Sequence, residues 1–180
     1  MTRSVPVAAL LSLVSGGMLP ACNPQADPAQ LATVQRMIQA TDSLRTALEQ
    51  ADTNALRHME ALFAAERPAI EARFGDTLLP NEAGVLGNYH RSMAERLPAL
   101  LALRQMEQGR LDSTRSRLED LRHDLEQGLL DGPARETALA MEKRWIQLLR
   151  QETDSIRRHT RQLIDDRTAW RATIDSLLHP

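Results

Sequence analysis

From residue 28 onward, apolar side chains recur at steps of three and four positions, the spacing that places residues on one face of an α-helix. Two short segments containing glycine, proline and aspartate divide this pattern, which predicts helices over residues 28–74, 82–129 and 133–178. In the third run, one apolar row follows a strict seven-residue spacing, which is typical of coiled-coil packing. That row consists of Leu149, Ile156, Leu163, Trp170 and Leu177, and Trp145, Ile146, Leu148 and Ile174 are expected to widen it.

Residues with known capping preferences stand at the predicted helix starts. Asp27 precedes Pro28, which suits an N-cap followed by a proline in the first turn. Pro133 begins the third helix in the same way, with Asp131 or Gly132 as its cap. Both starts therefore have a local explanation in the sequence.

Three residues inside the runs disfavour unbroken helices. Pro68 and Pro98 each remove a backbone hydrogen bond and should bend the helix, and Gly109 weakens it by about 1 kcal/mol relative to alanine. Because the apolar phase passes through Gly109 without a slip, one continuous helix is expected there. We therefore predict an all-α, elongated antiparallel bundle of three long helices, about 70 Å long at 1.5 Å rise per residue. The alternative is a compact bundle of five or six shorter helices.

The two turns determine which residues of neighbouring helices lie side by side. Folding at 75–81 places residue x of the first helix opposite about residue 157 − x of the second, and folding at 129–133 places residue y of the third opposite about residue 262 − y. Polar residues that interrupt the apolar rows then meet near the middle of the rod. Such a layer either fixes helix register or forms a small ion or ligand site or a pH-sensitive joint. Its expected members are Asp52, His58, Arg104, Glu107, Glu152 and His159.

The N-terminal segment has the features of an export signal. Arg3 supplies a positive charge, an apolar run follows from Val5 to Val14, and Leu19-Pro20-Ala21-Cys22 ends the segment. This run is too short for a permanent membrane-spanning helix and fits a cleaved signal peptide. The sequence Leu19-Pro20-Ala21-Cys22 resembles the lipobox of bacterial lipoproteins. The resemblance implies a signal peptide over residues 1–21, cleavage before Cys22 and acylation of Cys22, with palmitate among the expected fatty acids; the alternative is an ordinary secretory signal.

A lipid on Cys22 implies an orientation for the rod. Residues 22–27 form a tether and residues 28–180 the bundle, so the turn between the second and third helices lies at the anchored end. The far end carries Leu78 and Leu79, which either cap the bundle or contact a partner. Asn23 follows the anchor in place of the aspartate associated with inner-membrane retention in some bacteria, which favours the outer membrane.

Composition and motifs exclude several classes of function. The chain has 22 basic and 24 acidic residues, and this balance argues against nucleic-acid binding. Cys22 is the only cysteine, which excludes an internal disulfide. The sequence has no phosphate-binding glycine loop, CxxC, HExxH or GxSxG motif, and its five histidines form no i, i+3 or i, i+4 pairs. We therefore predict no enzymatic activity, no metal and no cofactor apart from the covalent lipid.

These features predict a membrane-anchored, periplasm-facing lipoprotein of a bacterial cell envelope that acts as a structural, scaffold or adaptor protein through its helix faces or its tip. The expected partners are the membrane, through the lipid, and another protein or a second copy, because the interrupted apolar rows bury little surface per residue. The alternative is a periplasm-facing binding module, either a metal- or small-molecule-binding bundle or a chaperone-like one.

Overall fold

The computed structural model describes residues 27–50, 53–75 and 78–179, and within them the chain is helical apart from short turns and helix ends. No strand occurs in these ranges, so the all-α prediction is confirmed. None of the helices described is long and apolar enough to cross a membrane. The elements are α1 (Pro28–Gln50), α2 (Thr53–Arg73), α3 (Pro80–Arg91), a π-helical turn (Ser92–Arg96), α4 (Leu97–Glu126) and α5 (Gly132–Leu178).

The elements form the elongated three-rod bundle that the sequence predicts. The first rod, predicted as one helix over 28–74, consists of the two helices α1 and α2. α1 packs against α4 and α5, and α2 continues along the bundle against α3 and α5. The π-helical turn joins α3 to α4 without a loop, so these elements make one uninterrupted rod. The third rod is α5, a single helix of 47 residues and about 70 Å.

Ion pairs between the rods establish their directions and register. Arg115 Nη1 lies 3.0 Å from Asp42 Oδ1, which joins α4 to α1, and Arg110 Nη1 lies 2.6 Å from Glu152 Oε2, which joins α4 to α5. Both pairs fall at the positions that the predicted register makes opposite. Neighbouring rods along the chain are therefore antiparallel.

Two interleaved seven-residue rows on α5 face the core, which is the arrangement of a coiled-coil seam. Trp145 and Leu148, expected in this seam, are instead 37% and 43% exposed. They fall on the flank beside the two rows, because a seam only two rows wide leaves no room for a third. The buried members of the first row are Leu149, Ile156, Leu163 and Leu177, with Trp170 partly buried, and those of the second are Leu139, Ile146, Thr153, Thr160 and Ile174.

The predicted caps of α1 and α5 are confirmed. Asp27 Oδ1 accepts a hydrogen bond from the Ala29 N–H at 2.9 Å, and Asp131 Oδ1 accepts one from the Ala134 N–H at 2.8 Å. With Asp131 as the cap, Gly132 is the first residue of the helix, one position earlier than predicted.

The middle rod begins at Pro80 and ends at Glu126, whereas the sequence predicted 82–129. It begins early because the Glu82 carboxylate accepts a hydrogen bond from the Leu79 N–H at 3.0 Å and so caps the first turn. It ends early because Gly128 adopts a φ of 63°, the left-handed conformation that closes many helices.

The effects of the internal helix breakers differ from one another. α4 passes through Gly109, as predicted, and α2 passes through Pro68. The irregularity expected at Pro98 takes the form of the π-helical turn directly before it. Pro98 has no N–H to donate to the preceding turn, and the Leu97 N–H bonds to the Ser92 carbonyl, five residues back.

Candidate functional site

A polar layer crosses the bundle near the middle of α4. Glu107 and Arg104 are only 1% and 4% exposed, although both carry ionisable groups. Thr153 Oγ1 on α5 donates to Glu107 Oε1 at 3.5 Å. Arg104 donates from Nη2 to Thr53 Oγ1 on α2. The layer therefore links all three rods through side chains.

Two carboxylates of this layer share one guanidinium. Arg110 Nη1 lies 2.6 Å from Glu152 Oε2 and 3.6 Å from Glu107 Oε2. Burial, followed by the adjacent Glu152 carboxyl group, raises the pKa of Glu107 to about 7, and Arg110 and Thr153 only partly oppose this shift. Burial and the second carboxyl group thus favour the protonated form of Glu107 relative to a free glutamate.

The predicted members of the layer are only partly brought together. The structure gathers Arg104, Glu107 and Glu152 at one level. His58 is exposed on α2 and takes no part in the layer, and His159 is exposed on α5, at the edge of a shallow groove that also includes Leu103. Glu107 is therefore the group in this layer whose pKa lies near neutrality. Both histidines lie outside the layer. Asp52 and Cys22 lie outside the described residues.

The sequence reasoning missed Arg110 and Thr153. Arg110 lies three residues after Glu107 on one helix face, and the predicted register places it opposite Glu152. That combination of spacing and register was sufficient to find it. Thr153 gave a weaker signal, because a threonine in an apolar row most often only fills space. Among the described residues, no group of three or more His, Cys, Asp or Glu side chains is placed to hold a metal ion.

A second polar cluster, which the sequence analysis did not identify, lies toward the far end. Tyr89 Oη donates to Glu66 Oε2 at 2.6 Å, and Arg171 Nη1 donates to Glu66 Oε1 at 2.5 Å. Arg171 also lies 2.5 Å from Asp175 Oδ1. The cluster therefore joins α2, α3 and α5 through one carboxylate.

The surroundings of Glu66 and Tyr89 shift their pKa values in opposite directions. Burial alone would raise the pKa of Glu66, but hydrogen bonds from Tyr89 and Arg171 and the positive charge of Arg171 lower it below 4.5. Burial first, and then the Glu66 carboxylate, raise the pKa of Tyr89 to about 12. These shifts favour an ionised Glu66 bonded to a neutral Tyr89.

The far end of the bundle is built around aromatic rings. Phe63 contacts Tyr89 edge to face at 6.1 Å between ring centroids, and Phe74 contacts His90 in the same way at 5.5 Å. Of the two predicted tip residues, Leu78 packs against the core, whereas Leu79 is 62% exposed. Leu78 therefore caps the bundle, and Leu79 remains available on its surface.

The largest apolar side chains exposed on α5 form a stripe, which we call the α5 stripe, of Met141, Trp145 and Leu148. Their spacing of four and three residues places them on one helix face. Met141 is 66% exposed. Trp145 Nε1 donates to Thr114 Oγ1 on α4 at 2.9 Å, so the stripe lies on the α4 side of α5.

A groove between α4 and α5 continues the stripe toward the turn at residues 127–131. We call it the α4–α5 groove. Leu121, Leu130, Ala138 and Met141 supply its apolar lining, and Arg117, Asp120, Asp124 and Glu142 its charged lining. Stripe and groove share Met141 and extend together to one end of the rod, and the Arg117 guanidinium lies over the Trp145 ring, 5.8 Å from its centroid.

No family model, curated protein sequence or solved structure matches the chain.

Proposed function

We propose that this protein is a non-enzymatic scaffold or adaptor lipoprotein of a bacterial envelope, anchored in the outer membrane through Cys22 and facing the periplasm. The observation that carries the proposal is the apolar surface formed by the α5 stripe and the α4–α5 groove. The lipobox-like segment that ends at Cys22 supports the anchor.

The size and shape of this surface favour a helical partner. The stripe has the spacing of a helix face, and an apolar helix lying along α5 would cover it and enter the α4–α5 groove. Isolated exposed leucines are ordinary, but three large apolar side chains next to an apolar groove form a contiguous patch. Covering this patch removes apolar area from water and so favours association.

The charges beside the groove indicate the chemistry of the partner. Arg117 is held by Glu142, with Nε 2.9 Å from Oε1. Asp120 and Asp124, in contrast, form no salt bridge with another described residue. The groove therefore has a net negative edge, and we infer that the partner is an amphipathic helix with lysine or arginine beside its apolar face.

The position of the surface fits the anchoring proposal. The groove includes Leu130, in the turn at the same end of the bundle as Asp27, where α1 begins. With a lipid on Cys22, a docked helix would lie beside the membrane. The remaining length of the rod would extend into the periplasm as a spacer.

Site-specific photocrosslinking in cells tests the docking surface. A photoreactive residue at Met141 should capture one envelope protein, and Leu148→Glu should abolish the adduct. The same residue at Arg158, which is exposed elsewhere on α5, serves as the control and should not form this adduct. Absence of an adduct, capture of a second copy of this chain, or a captured segment without an apolar face bordered by basic residues would each contradict the proposed partner.

The anchor is tested separately by metabolic labelling with a fatty acid. The protein should carry the label and fractionate with the outer membrane. Cys22→Ser should lose the label and leave the uncleaved precursor. An unlabelled wild-type protein would refute the anchor without bearing on the docking surface.

A further inference from the structure

We infer that a second groove, between α1 and α5, binds a phosphate-bearing amphipathic anion. This groove, the α1–α5 groove, has a volume of about 520 Å³. The inference goes beyond the scaffold function and concerns the other flank of α5. The lining residues are Thr33, Arg36, Met37, Ala40, Lys143, Ile146, Gln147 and Arg150.

The charge of the α1–α5 groove is unusual for this chain. Three of its eight lining residues are cationic, Arg36, Lys143 and Arg150, and none is acidic. None of the three forms a salt bridge with a described carboxylate. Three like charges around one groove repel each other, and a bound anion would relieve that repulsion.

Three acidic residues of α1 and α5 near the level of the groove pair with arginines outside it. On α1, Asp42 pairs with Arg45 and with Arg115 of α4. On α5, Glu142 pairs with Arg117 and Glu152 with Arg110, both on α4. These carboxylates thus pair with arginines of α4. The cations on the α1 side of α5 remain without counterions among the described residues.

Arg36 is held in position by its own helix. Its Nε donates to the Ala32 carbonyl at 3.3 Å and its Nη2 to Thr33 Oγ1 at 3.1 Å. The other guanidinium N–H groups stay available for a ligand. A guanidinium matches the geometry of a phosphate and can bind it through two hydrogen bonds, so an arginine fixed in place beside a groove is well suited to this anion.

The floor of the α1–α5 groove indicates that the ligand is amphipathic. Met37 and Ile146 are buried apolar residues, and Ala40, which also lines the groove, is partly buried against the core. A ligand with a phosphate on the cationic rim could place an alkyl or acyl group against this floor. Arg36 lies eight residues after the start of α1, about 12 Å along its axis, so a lipid headgroup and a soluble phosphate ester are both within reach of the site.

Calorimetric titration of the full-length protein in a neutral detergent tests this inference. The probes are inorganic pyrophosphate, dihexanoylphosphatidic acid, and dihexanoylphosphatidylcholine, whose headgroup has no net charge. We expect phosphatidic acid to bind most tightly and phosphatidylcholine not to bind. The double variant Arg36→Gln/Arg150→Gln should raise the Kd for the anionic probes at least tenfold. The control Arg144→Gln/Arg158→Gln, which removes the same charge from α5 positions outside the groove, should change it less than twofold.

Each outcome decides a point. Binding of phosphatidic acid in preference to pyrophosphate supports an amphipathic ligand with a lipid headgroup as the source, and the reverse order would overturn the inference that the ligand is amphipathic. Failure of both anions to bind, equal binding of phosphatidylcholine, or equal weakening by the control variant would overturn the site. None of these results depends on the α5 stripe, so the scaffold proposal stands or falls separately.

Discussion

The Tyr89 hydroxyl donates a 2.6 Å hydrogen bond to the Glu66 carboxylate across the interface between α2 and α3. Tyr89 is fully buried and is the only tyrosine of the chain. Because Arg171 bonds the second oxygen of the same carboxylate, one acidic side chain joins three rods near the end opposite the predicted anchor. We therefore expect the far end to be sensitive to single substitutions that change little volume.

Tyr89→Phe removes the hydroxyl and keeps the ring that packs against Phe63. We expect it to lower the free energy of unfolding by about 2 kcal/mol, because hydrogen bonds to charged groups contribute about 1.5–3 kcal/mol. Urea denaturation measures the change. Arg67→Gln is the control, since it removes a similarly short but exposed bond of 2.7 Å to Glu71 and should cost less than about 1 kcal/mol. Equal effects of the two variants would refute a special role for the buried bond.

The ionisation of Tyr89 can be observed directly. Because the chain has a single tyrosine, the near-ultraviolet absorbance of tyrosinate reports this residue alone. In the folded protein its midpoint should lie near pH 12 in place of 10. The neutral form of Tyr89 stabilises the fold, so this contribution is complete below pH 10 and is lost as the pH rises toward 12. A midpoint near 10 while the circular dichroism still shows a helical protein would contradict the buried bond.

Much of this architecture can be predicted from the sequence, because short turns and helices of matched length leave little freedom in register. The position of Glu152 opposite Arg110 follows from residue rise and turn position alone, and the structure confirms it. The sequence did not predict which polar residues in the apolar rows form hydrogen bonds with one another. Glu66 and Tyr89 both stand in such rows, but only side-chain geometry shows that they bond to each other and to Arg171.

The stability contribution of the polar layer is lost as the pH rises, as that of Tyr89 is, but over a lower pH range. Glu107 has a pKa raised from 4.5 to about 7 in the folded protein, so its contribution to stability is complete below pH 4.5 and is lost as the pH rises through 7. Glu107→Gln keeps the shape and the capacity to bond Thr153 but cannot ionise. We expect it to stabilise the protein by on the order of 2 kcal/mol at pH 8 and to have little effect at pH 4. Urea denaturation at the two pH values measures the difference.

Glu152→Gln serves as the companion variant for this layer. It removes the neighbouring carboxylate that raises the pKa of Glu107. Arg110 then has Glu107 in place of two carboxylates to pair with. The pH dependence should therefore shift to lower pH and become smaller. If Glu107→Gln has the same effect at pH 4 and pH 8, Glu107 does not titrate as proposed, and the layer acts only to fix the register of the rods.

The exposure of Trp145 shows a second limit of sequence reasoning. A tryptophan next to an apolar row is normally assigned to the core, and the hydrophobic pattern alone cannot distinguish the seam from its flank. The structure buries two narrow rows on α5 and leaves Trp145 on the α4 side, where its indole N–H bonds Thr114. The proposed docking surface thus consists of apolar residues of α5 that fit the helical pattern but are not buried in the core.

Two glycines of the middle rod should respond to alanine in opposite directions. Gly128 has a φ of 63°, and the Leu129 N–H bonds to the Asp124 carbonyl at 2.9 Å across the turn that it forms. Alanine is strained in this conformation by about 1–2 kcal/mol, so Gly128→Ala should destabilise the protein by that amount. Gly109 lies in mid-helix on an exposed face, and a Cβ there would meet no atom within 4 Å apart from its chain neighbours and the backbone of its own helix. Gly109→Ala should therefore stabilise the protein by about 0.5–1 kcal/mol, because alanine loses less backbone entropy on entering a helix. Thermal unfolding of both variants beside the wild type gives the answer, and the same sign for the two changes would mean that the α4–α5 turn or the continuous helix across Gly109 is wrong.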